Sequence, residues 1–236
     1  MRVFGIGLPK TGLTSLARLM QTIGFVNDSD GRQLQRRYFV EKDYSTILNH
    51  YDSGVFFCDG PTCMMYKEAF YKYGRDAKFI LTVRRDAQLW LDSLKRHNMY
   101  AGVKNKTKWI FGRFYPVGFD DEFKSYYERH TRDAIKFFED HEASDLLLVL
   151  RCDEPGAVAR VSEFLGVSFP VSEFPHENVS PANRRGLSNF AKKYYNLVAQ
   201  ALYARVAPRI PIRLRQPSRP IDLSGDRLRD SGSSRA

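Results

Sequence analysis

Three short stretches of the chain carry side chains with chemistry to offer. The first is GIGLPKTGLTSL, residues 5–16. Counted from Gly7, it has a glycine at Gly12 and a hydroxyl at Thr14, as in the Walker phosphate loop G-x-x-x-x-G-K-[ST]. Where that loop has its lysine this chain has Leu13, and Lys10 stands three residues upstream. Backbone N–H groups of a glycine-bearing turn at the head of a helix hold phosphate-like groups whatever side chains they carry. Lys10, Thr11, Gly12, Leu13, Thr14 and Ser15 therefore form a candidate anion cradle. Leu13 cannot reach the β- and γ-phosphates as a Walker lysine does, and the apolar run ending at Leu150 is followed by Arg151, not by a metal-holding aspartate. A lysine ahead of the helix suits a 5′-phosphate and the group leaving or arriving beyond it. The expected ligand is a nucleotide shorter than ATP, with its second anionic group held elsewhere.

The second stretch, KFILTVRRDAQLWLDSL (residues 78–94), is an apolar run that ends in arginine and leads into a helical pattern. Arg85 and Ser93 stand eight residues apart, and Arg84 is one residue off that spacing. An arginine at a strand's end offers a planar fork for phosphate. A serine two helical turns on can reach the same anion if the helix angles across it. The third stretch is CDGP, residues 58–61, where Asp59 follows an apolar run. A carboxylate there can accept a proton, and partial burial would raise its basicity. The competing reading has Asp59 cap a helix beginning near Thr62.

LPKTGLTSL resembles the 5′-phosphosulfate loop of sulfotransferases that use 3′-phosphoadenosine-5′-phosphosulfate (PAPS), usually P-K-[TS]-G-[TS]-[TS]-x-L. Leu13 departs from the more usual Thr or Ser and removes one hydroxyl from the cradle. Residues 78–94 resemble the 3′-phosphate segment of the same family. FCDGPTCMMYKEAFYKYGRDAKFILTV and LLLVLRCDEPGAVARVSEFLGVSFPVSEFPHENVS resemble a branch of small sulfotransferases, so the likeness covers roughly residues 2–180. It implies sulfuryl transfer from PAPS to a hydroxyl or amine of a small acceptor, without a metal. Lys10 would stabilise the leaving oxygen, and Arg85 with Ser93 would hold the 3′-phosphate. Asp59 occupies the place of the catalytic histidine of a T-H-x-P segment, with Pro61 retained. NRRG (residues 183–186) corresponds to a basic R-K-G loop, with Arg184 or Arg185 as a further donor. Two other readings remain at this point: a nucleotide or small-molecule kinase with an atypical loop, and a non-catalytic nucleotide- or nucleic-acid-binding module.

These residues need a scaffold. Arg2–Gly7, Val55–Cys58, residues 78–83 and residues 146–150 read as short, continuously apolar strands separated by helical patterns. Such a series requires crossovers and a parallel sheet covered on both faces. The expected fold is α/β: a three-layer, P-loop-like domain with a central parallel sheet flanked by helices. Ligands in such sheets sit beyond the carboxyl ends of the strands, where the three stretches lie. Helices are expected from Leu13 to Gly24, Thr62 to Tyr73, around Leu89–Leu94, Asp120 to His141, up to Leu165, and Leu187 to Val206. Residues 99–119 look too long and irregular for a plain connection and form a candidate lid. Its Tyr100, Trp109, Phe111, Phe114, Tyr115 and Phe119 would line an apolar acceptor pocket or simply pack.

With 236 residues and 43% hydrophobic content the chain can bury one substantial core, expected over residues 1–207. The formal net charge is +10, but half of it lies from Arg205 onward. Residues 208–236 are rich in Pro, Ser, Gly and Arg and read as a disordered, solvated tail, so nucleic acid is not an expected partner. No run is apolar enough for a membrane span, and Pro9 and Lys10 break any leader-like pattern. Three cysteines without metal-ligand spacing suit a reducing, cytoplasmic setting. The five histidines read as surface or packing residues, with His130 and His176 the two candidates for lining a site.

Overall fold

The structure, a computed structural model, describes residues 1–27, 31–101, 105–175 and 187–207. Four strands, β1 (Arg2–Gly5), β2 (Phe56–Cys58), β3 (Ala77–Thr82) and β4 (Leu147–Leu150), form one parallel sheet in the order β2-β1-β3-β4. The chain leaves β1 towards β2 on one side and β3 on the other. The switch point therefore lies at the carboxyl ends of β1 and β3, where such sheets bind ligands.

Alternation along the strands separates the two faces. Val3, Phe56, Ile80 and Leu150 pack with Leu13, Leu16, Leu19 and Met20 of α1 (Leu13–Gln21) and with Val158, Val161 and Leu165 of α8 (Ala157–Leu165). On the other face Phe4, Phe57 and Phe79 stand in register across β1, β2 and β3, with ring centroids 5.7 and 5.4 Å apart. Tyr51, Tyr73 and Phe138 close on this row at 5.2, 5.8 and 4.8 Å. This second core is covered by α3 (Tyr44–His50), α4 (Tyr66–Tyr73), α5 (Ala87–Ala101) and α7 (Asp120–Asp140). The helix–sheet–helix sandwich is the expected three-layer α/β arrangement. Gly166, in the left-handed region at φ 68°, ends α8 by giving its N–H to the Glu163 carbonyl at 3.3 Å, while Val167 gives its own to the Ser162 carbonyl at 3.1 Å.

Several elements differ from the sequence expectation. Between α1 and β2 the chain forms α2 (Gly31–Arg36), a π-helical turn (Arg37–Glu41) and α3, a region for which no helix was expected. Asp43 heads α3 and accepts from the Thr46 N–H at 3.1 Å, a cap that the sequence D-Y-S-T carries plainly. The expected helix over Thr62–Tyr73 is split. A 3-10 turn, Thr62–Met64, is anchored by the Thr62 hydroxyl against Tyr51 Oη at 3.0 Å, and α4 begins at Tyr66. The stretch 99–119, expected to be irregular, contains the end of α5 and the helix α6 (Asn105–Phe111). In α6 Thr107, Ile110 and Phe111 are buried at i, i+3 and i+4, one turn of helical spacing hidden among lysines. Of its aromatics, Phe111, Tyr115 and Phe119 are buried in the fold, and Trp109 stacks on Phe39 at 5.7 Å. α9 (Leu187–Val206) packs along α5.

The aromatic row makes Phe4 the centre of one core face. Phe4→Ala removes a fully buried ring held by four aromatic neighbours. It should cost about 3–5 kcal/mol of stability, read as a lowered urea midpoint with an unchanged slope. A loss under about 1 kcal/mol would mean that the row can collapse around the gap.

Candidate active site

β1 ends at Gly5, and the chain turns through residues 6–12 into α1. Hydrogen bonds pin this loop at Ile6 and from Leu8 to Thr11. Ile6 gives its N–H to the Ile80 carbonyl at 2.9 Å, and His130 on α7 donates from Nε2 to the Ile6 carbonyl at 2.9 Å. The Leu8 carbonyl accepts the Thr11 N–H at 3.2 Å and the Thr11 hydroxyl at 2.7 Å. Trp90 Nε1 donates to the Pro9 carbonyl at 2.9 Å, and Arg84 Nε to the Lys10 carbonyl at 3.0 Å. Three successive carbonyls are thereby turned onto protein donors. Carbonyl dipoles that would repel an anion are drawn to the back of the loop, which favours a concave front of N–H groups.

Two glycines are required by this geometry. A Cβ on Gly7 would lie 2.0 Å from Thr82 Oγ1, 2.5 Å from the Thr82 carbonyl and 2.6 Å from Thr11 Oγ1. Gly12 has φ 121°, and a Cβ there would lie 2.7 Å from Cys152 Sγ. Gly12 also heads α1, with no side-chain cap and no acidic residue in the first turn. The leading N–H groups of α1 have no carbonyl to reach within the helix, and its positive end is unneutralised by any side chain of that turn. Leu13 buries its side chain in the core, Thr14 is exposed and Ser15 half-buried.

Lys10 sits in the left-handed region, φ 77°, and is half-buried. Burial, then Arg84 and Arg96, push its ammonium below the ordinary lysine range, and Asp59 opposes them. Lys10, Arg84, Arg96 and Asp59 thus share one electrostatic field at the carboxyl ends of β1, β2 and β3. Asp59 follows β2 directly, with φ 75°, and its carbonyl accepts the Cys63 N–H at 3.3 Å. The elements after Asp59 are headed by other residues. Pro61 heads the 3-10 turn and Met65 heads α4, neither with a side-chain cap bond.

Arg84 and Arg85 part company at the end of β3. Arg84 is built into the loop, and its main chain is held by Tyr127, whose hydroxyl lies 2.9 Å from the Arg84 nitrogen and 3.2 Å from its carbonyl. Arg85 is 65% exposed, and its Nε lies 3.5 Å from the carboxylate of neighbouring Asp86. Ser93 lies half-buried on α5. Arg184 and Arg185 fall outside the described residues, as do His176 and residues 208–236. His130 is drawn to the back of the loop by its bond to Ile6, and burial lowers its pKa, which favours the neutral ring.

Sequence reasoning missed the groups that hold the loop from a distance: Thr82, whose hydroxyl meets that of Thr11 at 2.6 Å, Trp90, Tyr127 and Cys152. It also missed Arg96, one turn beyond Ser93 on α5 and thus at helical spacing from it. Cys152 lies against Gly12, and burial pushes its thiol up to about 12. Beside α7 a cleft of about 360 Å³ is walled by Phe111, Phe123 and Tyr126 and rimmed by Asp121, Glu122 and Arg129. Tyr126 reaches from its wall to Met64 Sδ at 3.7 Å, on the turn that follows Asp59.

A search among curated proteins returns no match. Residues 2–116 match a family model described as a sulfotransferase domain. The matched span contains the loop between β1 and α1, the turn bearing Asp59, and β3 with the start of α5 that carries Arg84, Arg85 and Ser93. That match supports a sulfotransferase family for residues 2–116, and with it transfer of a sulfuryl group.

Proposed function

We propose that this protein moves a sulfuryl group from PAPS to a hydroxyl or amine of a small, apolar or aromatic acceptor. The observation that carries the reading is the uncapped head of α1, set beside Lys10 in a loop whose carbonyls are bonded away from it. That arrangement fits a phosphate bearing a leaving group. When bound, PAPS supplies an activated sulfuryl group on its 5′-phosphate and a 3′-phosphate as a second handle.

In this proposal the N–H groups of Lys10 and of residues 12–15, with the hydroxyls of Thr14 and Ser15, cradle the 5′-phosphate, and Thr11, whose N–H and hydroxyl both bond the Leu8 carbonyl, holds the shape of the cradle. Lys10 stabilises charge growing on the departing phosphate oxygen, and its partial burial strengthens that interaction. Asp59 takes the proton from the acceptor as its oxygen or nitrogen attacks sulfur. Arg85 and Ser93 hold the 3′-phosphate, with Arg184 as a further donor. Arg84 acts through Lys10 and positions the loop. The apolar walls of the cleft beside α7 support an apolar or aromatic acceptor. Three cysteines that form no disulfide support a cytoplasmic setting.

Adenosine 3′,5′-bisphosphate, the desulfated product, should stabilise the fold without added metal. At about 100 times its dissociation constant it adds roughly 2.7 kcal/mol, a rise of about 5–10 °C in Tm. A larger rise with Mg-ATP would turn the reading towards a kinase. Arg85→Ala and Ser93→Ala should weaken the bisphosphate by about 1.5–3 kcal/mol while leaving adenosine 5′-phosphate nearly unchanged. Arg84→Ala, which frees the Lys10 carbonyl, should weaken both ligands alike. Calorimetric titration separates the two patterns, and equal losses from Arg85→Ala would remove it from the 3′-phosphate site.

Lys10→Ala should depress both bisphosphate affinity and turnover, the latter on the order of 10²–10³-fold. Asp59→Asn keeps the shape and loses the proton acceptor, so bisphosphate binding should stay close to wild type while turnover falls roughly 10²–10⁴-fold. The deficit should shrink for acceptors such as nitrophenols that ionise unaided. Normal turnover of a high-pKa alcohol by Asp59→Asn would show that the base is another group.

A further inference from the structure

α9 is turned inside out relative to an ordinary surface helix. Its buried side carries amides. Gln200 is 1% exposed, and Asn196 donates from Nδ2 to the Met99 carbonyl at 2.9 Å on α5. Its outward side carries Tyr194, Tyr195, Leu197, Val198, Leu202 and Val206, with Tyr195 70% and Leu202 56% exposed. Tyr194, Val198, Leu202 and Val206 follow one another at intervals of four, an apolar stripe about 18 Å long. Along the sequence the charge that flanks it is of one sign. From Asn178 to Ile221 the chain has nine Lys and Arg residues and no Asp or Glu. Four of them, Arg209, Arg213, Arg215 and Arg219, come within 13 residues after the helix ends.

We propose that this outward face of α9, with the basic residues that follow it, docks the protein on an anionic lipid bilayer. Apolar and tyrosine side chains enter the interfacial region, and lysines and arginines meet acidic headgroups. The acid-free run of sequence from Asn178 to Ile221 makes its charge complementary to such a surface. It also weighs against a second copy of the chain as the occupant, because two copies would bring like charges together. A stripe on one helix presents on the order of 200 Å², against the roughly 800 Å² per partner of a stable protein interface. No helix among the described residues is long and apolar enough to cross a membrane, so the attachment is peripheral.

The full-length protein is tested by flotation with vesicles of phosphatidylcholine alone and of phosphatidylcholine with about one third phosphatidylserine. Each basic residue near an anionic surface contributes roughly fivefold, so the serine-lipid vesicles should be preferred by well over tenfold, and less so at high salt. The double variant Val198→Glu, Leu202→Glu should lose at least tenfold of that binding with an unchanged melting temperature, because both side chains face outward. Tyr195→Ser, a milder change, should lose a smaller share and guards against a folding defect in the first variant. Replacing Arg209, Arg213 and Arg215 by serine should remove the lipid preference. Equal binding to both vesicle types overturns the proposal, as does a folded glutamate variant that binds like the wild type. A concentration-dependent dimer dissolved by the same variant would assign the face to a second copy. Displacement from vesicles by single-stranded RNA, undiminished in the glutamate variant, would assign the charge to nucleic acid.

Discussion

Gly7 lies so close to the last residue of β3 that a single added carbon would fall 2.0 Å from the Thr82 hydroxyl. The loop after β1 is laid flat on the end of β3, and the chemistry depends on that contact. It brings the Thr11 and Thr82 hydroxyls within 2.6 Å of each other and Arg84 within reach of the Lys10 carbonyl. With the loop set there, the carbonyls of residues 8–10 face backwards and Lys10 takes its left-handed conformation. A loop raised by one methyl group would lose these bonds together, since they share one rigid turn.

The electrostatics follow from the same closeness. Burial, and after it repulsion from Arg84 and Arg96, lowers the Lys10 pKa, with Asp59 as a partial counterweight. A protein gains no stability from gathering like charges. The arrangement makes sense as one that meets an anion, and the uncapped head of α1 adds to it. The aromatic row behind the sheet holds the strand ends that carry these groups.

Much of this was legible in the sequence, for identifiable reasons. Strands buried on both faces show as uninterrupted apolar runs, so the parallel sheet and its helical layers could be read directly. Leu187–Val206 was found because it is long, whereas α2, α3 and α6 offer six or seven residues each and show too little periodicity. The linear part of the site, Lys10 to Ser15, was legible because its geometry is local. Thr82, Trp90, Tyr127 and Cys152 were not, because they act on partners 43 to 140 residues away. Spacing also favoured Arg85 over Arg84 for the phosphate site. Nothing in two adjacent arginines says which will be absorbed by the loop, since neighbours at a strand's end point to opposite sides.

Trp90 is fully buried, its indole N–H is bonded to the Pro9 carbonyl, and its ring stacks at 4.9 Å on Tyr127, which in turn holds Arg84. The other tryptophan, Trp109, lies on α6 against Phe39. The chain therefore contains two indole fluorophores in different places, one wired to the anion loop and one to the helix beside the cleft. Excitation of the indoles gives a built-in optical record of the loop at Trp90, and replacing Trp109 by phenylalanine would leave that signal standing alone.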